Sequence, residues 1–210
     1  MFEVEAVQGA QQGNHQGVRS LEFFGTYDPN NPACIRVSNL AILSGGSYIE
    51  WGWLLGWSLD HSDGNPCTTH NDSTYHDSPL LFVQWKGTIG GTHCRREGEV
   101  AGGANYTVTI KNGDGDTDWI YLFEGSEKGH ALSDFSRGRA ITNVERHRPA
   151  DSGFAEFDNL AFQVAGSTTF YDWNNLRQDD PPVDDPDWHC RKISDTHHTV
   201  RMLSRTCPYP

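Results

Sequence analysis

The chain is 210 residues long and carries 28 acidic against 16 basic side chains, a formal net charge of −12. That balance repels phosphate backbones and acidic lipid, which excludes nucleic-acid binding through a basic face and adsorption to an acidic membrane surface. Its 22 glycines, 10 prolines and 11% aromatics describe short strands joined by tight turns rather than a helical bundle, and no apolar run reaches the ~18 residues of a membrane span.

Taken in chain order, the start MFEVEAVQGAQQGNHQG has neither the basic nor the apolar stretch of a signal peptide. Nine strands then follow from β-branched and aromatic enrichment bounded by turn formers: 17–25, 33–43, 47–57, 79–87, 104–111, 118–125, 139–147, 155–165 and 199–203. SEKGHALSDF, residues 126–135, is expected to form a short turn of helix. QDDPPVDDP, residues 178–186, is acidic and proline-rich and should run extended over the surface, with residues 187–210 returning to a sheet edge. One core suits this length better than two, so residues 1–210 are expected to form a single all-β domain, an antiparallel double-sheet sandwich of the jelly-roll or concanavalin kind.

Five cysteines leave one over from any full pairing, and Cys67 with Cys94 and Cys190 with Cys207 are the most economical disulfides. The loop CTTHNDSTYHDSP brings Cys67, His70 and His76 towards His93 and Cys94, zinc-type ligands at a spacing that matches no zinc pattern, so a polar surface loop is the expectation. KNGDGDTDW sets Asp114, Asp116 and Asp118 at alternate positions like a calcium loop. It lacks the closing glutamate and flanking helices of that motif, and between two strands its Asn-Gly and Asp-Gly pairs read as hairpin chemistry. No cofactor is expected.

The chemistry concentrates in SYIEWGWLLGW. Alternate strand residues share a side, so Ile49, Trp51 and Trp53 face together towards the core. Tyr48, Glu50, Gly52 and Leu54 face the other way, with Glu50 beside a glycine that leaves room for close approach. In RAITNVERH, Ile141, Asn143 and Glu145 share a face. If the two strands are neighbours on a concave sheet, Glu50 and Glu145 supply an acid and a base: one ionised carboxylate takes a proton from water while the other carboxylic acid serves the substrate oxygen. The chain has no G-x-S-x-G elbow, phosphate-binding loop or dinucleotide fingerprint, so carboxylate chemistry is the economical reading.

SYIEWGWLLGW, then PLLFVQWKG, then a turn-rich hairpin, then AITNVERHRPADSGFAEFDNLAFQ resembles the motif order of the glutamic peptidase superfamily, the fungal eqolisins and plant neprosins, over about residues 33–165. The resemblance assigns the first dyad position to Glu50 and the second to Glu145, with Gln84, Trp85 and Asn143 lining the cleft. Gln84 stands where eqolisins tend to have an acidic residue. The family implies a double-sheet sandwich, a secreted endopeptidase working in acid on a polypeptide substrate, and no metal. The same residue types also suit a polysaccharide, with exposed Trp and Tyr rings stacking on sugars beside Asp, Asn and Glu. Glu50 on its own is also satisfied as an ordinary solvated strand residue, and Glu145 as part of a surface ion pair with its arginine neighbours.

Overall fold

The structure, a computed structural model, describes residues 5–26, 36–57, 75–86, 91–113, 116–146, 153–179 and 188–202. Its elements are β1 (Glu5–Phe24), β2 (Arg36–Ser44), β3 (Ser47–Trp57), β4 (Tyr75–Lys86), β5 (Thr92–Glu99), β6 (Ala104–Asn112), β7 (Asp118–Phe123), β8 (Ser126–Leu132), β9 (Gly138–Arg146), β10 (Gly153–Val164), β11 (Phe170–Asp172), β12 (Leu176–Asp179), β13 (Trp188–Ser194) and β14 (His197–Met202). All pairings are antiparallel. Among the described residues no helix forms.

The long first strand belongs to two sheets. Its first half, Glu5 to Gln11, pairs with β9 and β12, and its second half, His15 to Phe24, pairs with β10 and β6. Between them the β9 pairing loses register from Gln11 to His15, and Gly13 takes φ +121°, a conformation that L side chains rarely adopt. The bend divides the strands into sheet I, in the order β12-β1-β9-β2-β3-β4-β5, and sheet II, in the order β8-β7-β6-β1-β10-β14-β13 with β11 also on β10. This is the expected antiparallel double-sheet sandwich.

The alternation read in SYIEWGWLLGW builds the layer between the sheets. Ile49, Trp51 and Trp53 are completely buried in the main core with Val18, Phe24, Ile110, Trp119 and Tyr121. Trp51 packs its ring 5.0 Å from Tyr121 and donates its indole N–H to the Leu122 carbonyl at 2.8 Å, and Phe24 lies 5.3 Å from Trp53. The side chain of Trp57 lies outside the described residues.

Residues 126–135 depart from expectation. Ser126–Leu132 is a strand, paired with β7 through the two-residue turn Glu124-Gly125, whose φ values of 50° and 73° are the pair of positive angles that the commonest tight hairpin demands. The turn chemistry outweighs the weak helical period of that stretch. The β6–β7 connection is the hairpin read from KNGDGDTDW, with Asn112 opposite Trp119. β13 and β14 form a hairpin whose inner strand pairs with β10, so this segment ends sheet II. Of the acidic segment 178–186, Gln178 and Asp179 finish β12 and the rest lies outside the described residues, as do Cys67, Cys207, His70 and Asp114.

Candidate active-site face

The register of sheet I fixes which residues meet on the side turned away from the core. One row across the strands runs Ala10, Ile141, Ala41, Glu50, Gln84 and Cys94. Two residues along, the next row runs Gln8, Asn143, Asn39, Gly52, Phe82 and Arg96. The third joins Ala6, Glu145, Val37, Leu54 and Leu80. Glu50, Gln84, Asn143 and residue 145 therefore belong to one face.

Two expectations need correction. β3 and β9 are not neighbours, because β2 runs between them and pairs with both. Residues 50 and 145 are thus two strands and four residues apart, a backbone separation on the order of 16 Å from strand spacings of about 4.8 Å and rises of about 3.3 Å. The two positions are therefore not cross-strand neighbours. Trp85, expected in the cleft with Gln84, sits opposite Ile49 on the core side, packs against the main core and stacks on His93 at 5.3 Å between ring centroids. The strand period that turns Gln84 out turns its neighbour in.

The face is unlike an ordinary outer sheet surface. Ala10, Ala41 and Ile141 form one buried apolar cluster beside Leu43, and Leu54, Leu80 and Phe82 form a second. Between the clusters lie two carboxamides directly opposite each other, Asn39 at 0% exposure and Asn143 at 2%. Neither Oδ1 nor Nδ2 of Asn39 has a hydrogen-bond partner. Glu50 is half-buried. Beside it Gln84, its cross-strand neighbour, donates Nε2–H to the Tyr48 hydroxyl at 2.6 Å, and Tyr48 precedes Glu50 by two residues on the same face.

Asn39 is the residue that sequence reasoning passed over. The signal was available: a lone amide in the otherwise apolar run NLAIL, at a position whose alternation sends it away from the core.

No group of three or more His, Cys, Asp or Glu suited to a metal exists among the described residues. The carboxylates of the calcium-like stretch have other uses: Asp116 Oδ1 accepts the Asp118 backbone N–H at 3.0 Å, and Asp118 Oδ2 meets His130 Nδ1 at 2.8 Å. Of the zinc-type ligands, His93 lies on Trp85. The tryptophans available to a sugar platform are mostly spent in the interior, since Trp51, Trp53, Trp119 and Trp173 are all buried. On the outer side of sheet II, a groove of about 350 Å³ is lined by Arg19, Ser20, Leu21, Thr107, Asn159 and Asp172.

The chain is similar in structure to scytalido-glutamic peptidase solved with a transition state analog inhibitor, with a TM-score of 0.63 at 10% identity over 96% of this chain and 100% of that one. It is also similar to SCP-B, a member of the eqolisin family of peptidases solved with the tripeptide Ala-Ile-His, with a TM-score of 0.57 at 11% identity over the same shares of the two chains. No family model matches the chain, and no curated protein matches it in sequence. At such identity the likeness is one of fold. Among the described residues no helix is long and apolar enough to cross a membrane.

Proposed function

We propose that this chain is a secreted endopeptidase working in acid, which hydrolyses an extended polypeptide lying across the outer face of sheet I. The observation that carries the reading is the common face of Glu50, Gln84, Asn143 and residue 145, turned away from a tryptophan core in a sandwich shared along its length with the eqolisin-type peptidases. In this reading ionised Glu145 takes a proton from water as the water oxygen attacks the scissile carbonyl carbon, and protonated Glu50 gives its proton to the carbonyl oxygen. The neutral diol then collapses. Glu50 takes back a hydroxyl proton, Glu145 protonates the departing nitrogen as the C–N bond breaks, and both groups return to their starting forms. A backbone separation of about 16 Å leaves room for a water and a carbonyl between the two positions, so in this reading the two carboxyls flank the reacting atoms rather than share a proton. Gln84, held by Tyr48, and Asn143 line the cleft.

Polypeptide is favoured over polysaccharide because stacking on sugar needs exposed aromatic faces, and four of the seven tryptophans are buried. One ionised and one protonated carboxyl coexist only in the acid range, so activity should follow a bell there. The test is cleavage of a denatured protein between about pH 2.5 and 7 by the native chain, Glu50→Gln and Glu145→Gln. A loss of at least about 100-fold in each variant is expected, the usual scale of a general acid or base. A folded native chain that cleaves nothing across this range overturns the peptidase reading and leaves polysaccharide binding as the next to examine.

A further inference from the structure

Among the described side chains of this face, Asn39 is the one with neither amide atom hydrogen-bonded. A carboxamide offers two donors and an acceptor with two lone pairs. Buried at 0% exposure with Oδ1 and Nδ2 both unbonded, it forfeits its hydrogen bonds to water without replacement, which native structures rarely tolerate without a use for the group. Its position is also particular. On β2 it lies one diagonal step, about 7–8 Å between backbones, from residue 145 on one side and from Glu50 on the other. Across β3 its neighbour is Gly52, which puts no side chain in the way.

We infer that the Asn39 carboxamide is the hydrogen-bond donor for the oxygen of the scissile peptide, its Nδ2–H meeting the charge that develops there between the two glutamates; this rests on the peptidase reading above. Such a donor works best in a site closed to water, where it needs no reorganisation as charge appears. Asn39 is fully buried in the free molecule, so a bound carbonyl comes to it as neighbouring side chains change rotamer, the ordinary scale of adjustment on binding. The unsatisfied amide is then a cost carried by the free chain and repaid in the transition state.

Two variants test this beside the native chain. Asn39→Leu removes both the donor and the unsatisfied group. It should unfold in urea at a midpoint no lower than native while kcat falls about 100- to 1000-fold with little change in KM, the scale for loss of one oxyanion donor. Asn39→Asp keeps the shape but donates only when its carboxyl is protonated, so the alkaline limb of its activity profile should move to lower pH. An Asn39→Leu chain with near-native kcat overturns the inference, and so does an Asn39→Asp chain with the native profile, which decides the matter should Asn39→Leu fail to fold. If the native chain cleaves nothing, the peptidase reading fails and takes this assignment with it. If it cleaves and loses activity on Glu145→Gln yet tolerates both Asn39 variants, only the assignment fails.

Discussion

The sandwich has two outer faces, and they obey different rules. On sheet II many outward positions meet water and carry charge: His197 Nε2 lies 2.7 Å from Glu156 Oε1, His130 bridges Asp118 and Glu127, and Arg19 sits 4.8 Å over the Phe170 ring. That is the usual condition of an antiparallel sheet with one solvated side. On sheet I the centre of the corresponding side is apolar residues and amides, and Ala41, Asn39, Ile141 and Asn143 are all buried. A sheet side that is neither the core nor wet is a dry, polar surface, and the cost of keeping amides there locates function more sharply than any single carboxylate does. The most severe way to break the comparison is to put the same charge on both faces. Ala41→Lys buries an ammonium in the row of Glu50 and should cost several kcal/mol or prevent folding, because only partial relief of its desolvation is available. Leu21→Lys, half-buried on sheet II opposite Asp158, should stay within about 0.5 kcal/mol of native. Urea unfolding of the two variants measures the difference; equal costs would mean that the two faces are alike.

That contrast also explains what the sequence made legible. Strands with dense β-branched and aromatic residues announced themselves, and Ser47–Trp57 lies where SYIEWGWLLGW predicts it. The strands that escaped notice have little apolar content because they lie at edges or within the bend. THCRREGE of β5 and SEKGHAL of β8 end sheets I and II, and the first half of β1 is rich in Gly and Gln. For the site, alternation set Glu50 on the side opposite the tryptophans and Asn143 on the same side of its strand as residue 145, because a period of two needs no knowledge of neighbours. It did not reveal that β2 intervenes between β3 and β9, since strand order is set by long-range pairing. Asn39 left a local signal, a lone amide in the apolar run NLAIL, but its distance from two other strands is a quantity absent from a linear pattern.

A smaller effect is expected where the two sheets meet at their edges. Tyr121 of β7 reaches across to donate its hydroxyl to Glu97 of β5 at 2.8 Å, with Arg95 3.3 Å from the same carboxylate. Burial, followed by the hydrogen bond to Glu97, pushes the Tyr121 phenol far above its usual range, so it stays a donor at any working pH. Gly129 lies opposite Tyr121, and a Cβ there would come within 2.4 Å of the hydroxyl. Gly129→Ala should therefore displace the ring that packs on Trp51 and cost about 1–3 kcal/mol. Combining it with Tyr121→Phe should recover part of that loss, because the nearest clash is with the oxygen. A double-mutant cycle in urea reads the coupling, and strict additivity would show that the hydroxyl is not the obstruction.

The smallest effect belongs to the wet face, and its size sharpens the comparison. His130 is exposed, and its pKa is raised chiefly by its hydrogen bond to Asp118 and less by Glu127. A histidine whose folded value lies above the unfolded value of about 6.5 adds stability that is fully present below 6.5 and is lost as pH rises through the folded value. Acid therefore tightens the β7–β8 hairpin in the range proposed for catalysis. Water screens a pair this open, so the gain should be no more than a few tenths of a kcal/mol. His130→Gln should reduce the stability difference between pH 5 and pH 8 by that amount and leave cleavage unchanged. A loss of a kilocalorie or more would mean that the outer face of sheet II also holds charge away from solvent, and the distinction between the two faces would fail at its weakest point.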